Sequence, residues 1–423
     1  MKACPACHRL FPADGSYCPI DGQRLTSVVE AKVPSDPEDP RVGKALCGGR
    51  YQIWRVVADG GMGRVYQALD LKSRRSVALK ILHREVALDE IALERFRREF
   101  QLSSSLPHQH IVEVLAFERT EDKSFALVME YLEGEELRTV LKRDKVIPPE
   151  RVIRMVSQIA QGLAAAHDRK VVHRDLKPDN IFLVGTRDGD HVKLLDFGSV
   201  RDNSEGAKKL TAIGTTIGSP FYMSPEQAQG LATLDHRADV WSLAAIIYEC
   251  LTGTVPFRGK TGPSILLAIL TDEPSSPSVT GKAHQVPRTL DAVMADALTK
   301  TAEARIPTAA ALSNRLGQAY GLEGNHHDWA QTPQDKLGAQ IAKALPDTLA
   351  RYEEVVVARG ERSGSHPALS DEPFRAGSEG GPTTAFQEDI VMGVPKPLSR
   401  WLVPVVAAAA VLVGILVAIL IAR

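Results

Sequence analysis

Between residues 51 and 132 the apolar positions fall into short runs broken by turn residues. YQIWRVV at 51–57, GRVYQALD at 63–70 and SVALKIL at 76–82 predict three consecutive strands. Residues 88–105 switch to helical spacing, and IVEVLAFE (111–118) and SFALVMEYL (124–132) return to strand patterns. After Gly134 helices dominate. The spacing predicts helices over 149–168, 237–252, 263–270, 288–299 and 308–320, the last stopped at Tyr320-Gly321. Two strand-like pieces at 181–184 and 192–195 flank a turn with Asp188-Gly189. Residues 322–400 are rich in His, Gly, Ser, Pro and Glu and predict disorder, apart from a helix near 334–345. From Trp401 to Ala422 the chain is unbroken apolar or small residues, about 33 Å as a helix.

That last run changes the picture most, because it predicts a single transmembrane helix. Lys396 and Arg400 precede it and favour a cytoplasmic N-terminal side. The 423 residues carry a formal net charge of −1, so no global basic field points to nucleic acid. Three of the five cysteines, Cys4, Cys7 and Cys18, lie in the first 18 residues. With Cys47 and Cys250 they do not resemble a disulfide framework, and a reducing compartment is expected. The spacing of Cys4, Cys7 and Cys18 suits a small zinc knob. Three thiolates are one short of the four ligands of a structural site, and either Asp21 or His8 supplies the fourth. A cysteine-bearing tail without metal is the plainer alternative.

The densest chemistry is His173-Arg174-Asp175-Leu176-Lys177-Pro178-Asp179-Asn180, followed by Asp196-Phe197-Gly198. Asp175 suits acceptance of a hydroxyl proton, Lys177 reaches a phosphate, and Asn180 and Asp196 offer hard oxygens to a divalent ion. Asp59-Gly60-Gly61-Met62-Gly63-Arg64-Val65-Tyr66 sits between two strands, where glycine lets backbone amides approach phosphates; alone it is a weak signal. Lys80 ends an apolar strand and Glu99 lies on the following helix.

Together these motifs resemble the eukaryotic-like, Hanks-type serine/threonine protein kinases of bacteria over residues 51 to about 317. The resemblance implies a two-lobed α+β kinase fold with ATP and Mg2+ (or Mn2+) in the cleft. It implies a nucleotide loop of Val57, Ala58, Asp59, Gly60, Gly61, Met62 and Gly63, with Val65 and Ala78 above adenine. Met129 would be the gatekeeper, and Glu130 and Leu132 would offer hinge backbone. Lys80 would contact the α/β-phosphates and pair with Glu99. Asp175 and Lys177 complete the catalytic set; Asn180 and Asp196 hold the metal. His173 would pack on Phe197, and Arg174 would read a phosphate in the segment 198–226, placed on Thr215 or Thr216, or on Thr211. Glu226 would pair with Arg305, and the helix beginning Asp239-Val240-Trp241 would anchor the catalytic loop. Ala58, Ser219 and Ala244 depart mildly from the family pattern.

The expected organisation is a degenerate zinc-ribbon-like knob (1–25), a linker (26–50), the catalytic domain (51–317), a largely disordered juxtamembrane segment (318–400) and the membrane helix (401–422). Expected partners are protein Ser/Thr hydroxyls, a second copy for trans-autophosphorylation and the lipid bilayer, without nucleic acid. The expected location is the inner (cytoplasmic) membrane, single-pass, with the kinase domain in the cytoplasm. A membrane-anchored pseudokinase or scaffold is the alternative.

Overall fold

The computed structural model describes residues 1–7, 9–28, 35–197, 220–231, 233–281 and 286–346. All fall within one unit, Met1–Gly364. The first 28 residues form a knob on a three-stranded antiparallel sheet, Lys2–Ala3 (β1), Leu10–Phe11 (β2) and Thr26–Ser27 (β3), in the order β2-β1-β3. Such a short segment has little apolar surface to bury. Its interior is Cys4, Phe11, Cys18 and Leu25.

Next comes a six-stranded antiparallel sheet: Ala45–Leu46 (β4), Tyr51–Asp59 (β5), Gly63–Asp70 (β6), Arg75–Leu82 (β7), Val114–Arg119 (β8) and Phe125–Glu130 (β9). Its order is β4-β5-β6-β7-β9-β8. The period of two sends Ile53 and Ala68 into the lobe's core with Tyr66, Leu79 and Val128. Their neighbours Trp54 and Leu69 face the other way and are buried with Ala3 and Leu10 of the knob. A register irregularity in the β5–β6 pairing falls between Ile53 and Arg55, at Trp54. Short helix Arg84–Ala87 (α1) leads into Glu90–Ser104 (α2), which starts where the Asp89 carboxylate caps the Ile91 and Ala92 amides. Strand β8 begins three residues later than the pattern suggests, because Ile111 instead bridges to Leu194.

The second lobe opens with Glu135–Glu136 (β10), Leu137–Asp144 (α3) and Pro149–Asp168 (α4), then the hairpin Ile181–Thr186 (β11) and Gly189–Leu194 (β12). Pro225–Ala228 (α5) precedes Arg237–Thr252 (α6), which is largely apolar, buried on nearly all sides and lies at the lobe's centre. Trp241 of α6 stacks on Phe257 with centroids 5.3 Å apart. Around it pack Gly262–Thr271 (α7), Pro277–Thr280 (α8), Thr289–Ala297 (α9) and Ala309–Ala319 (α10). The α7 and α10 starts are fixed by Thr261 and Thr308 side-chain caps. His326–Gln331 (α11) and a helical stretch at 334–346 lie against α4 and bury Trp329, Leu337 and Ile341.

The fold is therefore two-lobed α+β with an N-terminal knob, but the membrane helix does not stand. No helix among the described residues is long and apolar enough to cross a membrane. Helix α4 has 20 residues but carries Glu150, Arg151, Arg154 and Asp168; α6 is apolar but has only 16, about 24 Å against a hydrocarbon core of about 30 Å. The run at 401–422 lies outside the described residues. The bilayer partner and the single-pass inner-membrane location, which rested on that helix, find no support among the described residues.

Candidate active site

The cleft between the lobes gathers residues from five separate segments. The β5–β6 turn carries the glycine-rich loop, closed by Gly60 N–H donating to the Gly63 carbonyl at 3.0 Å. A side chain at Gly63 would stand 2.3 Å from the Ile81 carbonyl oxygen, whereas Gly61 has nothing within 4 Å. Val57 and Met62 of this loop are exposed, and Ala58 pairs with Val65. His83 secures the loop from below: its Nε2 lies 2.8 Å from the Gly60 carbonyl, and its backbone N–H donates to Met62. Across the sheet Val65 stands opposite Lys80, Ala78 opposite Met129 and Val77 opposite Glu130.

Lys80 Nζ lies 3.1 Å from Glu99 Oε1 and 3.0 Å from Asp196 Oδ1. Desolvation opposes its charge, yet the two carboxylates hold the ammonium above the usual lysine range. Desolvation would also raise Asp196, but Lys80 wins and keeps it low. Glu99 goes the other way, raised by burial and by the Asp196 charge beyond what Lys80 restores. The helix carrying Glu99 also reaches the segment after β12 through Ser103, whose Oγ donates to the Phe197 carbonyl at 3.2 Å.

Asp175 sits at the centre of the catalytic loop. Lys177 Nζ donates to its Oδ2 at 2.7 Å, and Asn180 Nδ2 to its carbonyl at 2.8 Å. The Leu195 N–H in turn donates to the Asn180 carbonyl at 2.9 Å, joining the loop to the segment that follows β12 and carries Asp196. Arg174 (φ 65°) and Asp196 (φ 55°) both occupy the left-handed region that non-glycine residues avoid. Asp239, fully buried on α6, holds the first of these by accepting the His173 and Arg174 backbone N–H groups at 2.9 Å each. Burial would raise its carboxyl, but His167 at 2.7 Å and those amides keep it below the ordinary range. His173 packs on Phe197 with its ring tilted by 58° and centroids 4.6 Å apart, and bonds the Leu195 carbonyl. Gln227 donates to the Arg174 carbonyl at 2.7 Å, and Glu226 makes a bidentate pair with Arg305 at 2.9 and 3.0 Å.

Beside the loop opens a cavity of about 360 Å³ lined by Arg138, Lys142, Lys177, Asp179, Tyr222 and Glu249. The anchoring groups His83, Ser103 and Gln227 escaped sequence reasoning. Only Gln227 left a trace, as the last residue of the capping box Ser224-x-x-Gln227. Gly198, Thr211, Thr215, Thr216 and Ser219 lie outside the described residues, as does His8.

In the knob, Cys4, Cys7, Cys18 and Asp21 present ligand atoms all within 4.8 Å of one another. Cys7 and Cys18 Sγ atoms are 3.6 Å apart, and the Asp21 carboxylate lies 3.2 Å from Cys4 Sγ. A tetrahedral zinc with thiolate bonds of about 2.3 Å needs S···S edges of about 3.8 Å, so the donors fit such an ion. The Ala6 and Cys7 amides also point at Cys4 Sγ, each at 3.4 Å, as neutralisation of a ligating thiolate requires.

A family profile described as the protein kinase domain matches residues 51–316. The chain is 36% identical over 307 residues to the serine/threonine-protein kinase pkn3 of Myxococcus xanthus, covering 72% of this chain and 56% of that protein. It is 34% identical over 325 residues to serine/threonine-protein kinase PrkC of Bacillus subtilis, covering 76% and 47%. The chain thus spans about half the length of these curated relatives. Among solved structures, the PknI kinase domain of Mycobacterium tuberculosis aligns with a TM-score of 0.52 at 25% identity, covering 66% of this chain and 98% of that one.

Proposed function

Since the chain belongs to the protein kinase domain family, we propose that it transfers the γ-phosphate of ATP to Ser or Thr hydroxyls of proteins, in signalling. One observation carries this reading: Asp175, Lys177 and Asn180 are bonded into one cluster, linked through Leu195 to the Lys80–Glu99–Asp196 triad. Asp175 accepts the proton of the incoming hydroxyl. Lys177, bonded to the same carboxylate, steadies the transferred group and discharges the nucleophile's surroundings. Lys80 holds the α- and β-phosphates, and its pairing with Glu99 fixes where it points. Asn180 spends its amide nitrogen on Asp175, which leaves Oδ1, with the Asp196 carboxylate, to hold Mg2+. When bound, the metal neutralises charge on the phosphates. Glu130 and Leu132 present the hinge backbone to adenine. The 360 Å³ cavity is where residues flanking the target hydroxyl fit.

The retained triad argues for catalysis over a scaffold. Asp175→Asn keeps the hydrogen-bond shape but removes the base. Incubated with radiolabelled ATP, it should incorporate phosphate about 10²–10⁴ times more slowly than the parent. Equal incorporation would overturn the assignment. Autophosphorylation on Thr215 or Thr216, or on Thr211, in trans between two copies, belongs to the same proposal. Phosphosite mapping of the active protein tests it.

We further assign a structural Zn2+ to Cys4, Cys7, Cys18 and Asp21. The complementary donor spacing supports it, and the small core of the knob needs such a tie. Metal analysis of the anaerobically purified chain should find one equivalent.

A further inference from the structure

The knob does not hang free. Its Ala3 and Leu10, with Met1 and Val28 beside them, close over Trp54 of β5 and Leu69 of β6. Trp54 is 1% exposed and Leu69 2%. Both lie on the face of the sheet that carries Val65 and Lys80, since their neighbours Ile53 and Ala68 point to the opposite face, into the core closed by Val42 and Leu46. Without the knob this face would present a bare indole to water. The two strands it grips form the glycine-rich hairpin. Trp54 lies five residues before Asp59, about 17 Å along the strand.

A second link runs from the same place to the adenine side. Arg55, next to Trp54, donates to Gln67 Oε1 at 2.9 Å and to Tyr131 Oη at 2.7 Å. Tyr131 stands between Glu130 and Leu132, the hinge positions. The knob's Arg9 also reaches the hinge electrostatically: burial raises the Glu133 carboxyl, and Arg9 pulls it back. One patch of the sheet therefore touches the knob, bonds Tyr131 at the hinge and continues along β5 into the glycine-rich loop.

We propose that the metal held by Cys4, Cys7, Cys18 and Asp21 sets the ATP affinity of the cleft, by keeping the knob folded on Trp54 and so fixing the β5–β6 hairpin and the hinge. This rests on the metal reading above. The ion is a soft divalent cation of the zinc class, given three thiolates and one carboxylate. The catalytic loop lies outside this path, because Asp175 is braced from α6 and from the segment after β12. Loss of metal weakens nucleotide binding and leaves the chemical step largely untouched.

The test uses the full chain, loaded with Zn2+ and then stripped with a chelator selective for zinc over magnesium. Metal content and the Kd for ATP with Mg2+ are measured by calorimetry in both states. Stripping should raise that Kd about five- to tenfold while kcat at saturating ATP changes less than about twofold. Trp54→Ala separates docking from metal: with zinc still bound, it should show the raised Kd and no further response to stripping. If one equivalent of zinc binds but the Kd is the same with and without it, the coupling is wrong and the metal site stands. If the intact chain takes up no zinc, the metal site itself fails and the coupling with it.

Discussion

His83 shows how much of the nucleotide loop depends on a residue that belongs to no motif. Its ring holds the Gly60 carbonyl at 2.8 Å. His83→Ala should raise the KM for ATP about three- to tenfold, the worth of one hydrogen bond, with kcat little changed. His83→Gln, able to restore the contact, should recover most of the loss. His110 offers a test in pH. Burial outweighs the Val192 carbonyl bond and, with His191, His108 and Lys193 nearby, lowers its pKa from 6.5 to about 4. The folded form binds the proton less readily than the unfolded chain. Its contribution is therefore intact above pH 6.5, falls as pH drops from there, and is gone near pH 4. A shift of this size is worth roughly 3 kcal/mol over that window. In urea titrations between pH 7 and 4, His110→Asn should flatten the decline. At this scale the sequence named the residues whose chemistry is tied to motif position: Lys80, Glu99, Asp175, Asn180 and Asp196 all converge. It did not name residues that act by where the fold happens to carry them, such as His83 and Ser103.

Among the elements, the β5–β6 hairpin separates two glycines that look alike in sequence. Gly63→Ala drives a methyl into the Ile81 carbonyl at 2.3 Å and should cost about 1–3 kcal/mol in stability together with ATP binding. Gly61→Ala meets open space and should leave thermal unfolding unchanged. The pair Glu226–Arg305 ties α5 to the turn before α10. The Arg305 side chain is fully buried, and it also donates to the carbonyls of Arg237, Thr299 and Lys300. Arg305→Met leaves a largely buried carboxylate and three carbonyls without its donors, and denaturant unfolding should show a loss of about 3–5 kcal/mol. Most strands and helices were legible because one face of each is buried, which writes a period of two or of 3.6 into the chain. Helix α11 was not. Its HHDWAQ sequence has no apolar stripe, and only the capping box of Asn325 and Asp328 marks it. The two apolar neighbours Ile53 and Trp54 likewise concealed a strand buried on both faces, because a continuous apolar run does not say what covers its second side.

For the molecule as a whole, the lobes and their cleft followed from motif order, while the parts flanking them did not. The knob proved to be a docked element. Residues beyond the kinase match at 316 pack on α4 and the β11–β12 turn: Arg154 donates to the Thr332 carbonyl at 3.0 Å, the Gln334 N–H to the Asp188 carbonyl at 3.0 Å, and Leu337 is fully buried. Ending the chain at 321 should bare this face of α4 and lower the melting temperature by several degrees, about 2–4 °C per kcal/mol lost. The membrane expectation came from one hydrophobic run at 401–422, and no described helix combines the length and the apolarity that crossing demands. The catalytic loop hangs by two amides from a carboxylate on the most protected helix of the larger lobe. In deuterated water the His173 and Arg174 amides should therefore keep their protons until that whole lobe opens, while those of the glycine-rich hairpin exchange through local openings alone. The base would then be timed by the slowest clock in the protein and the nucleotide gate by one of the fastest.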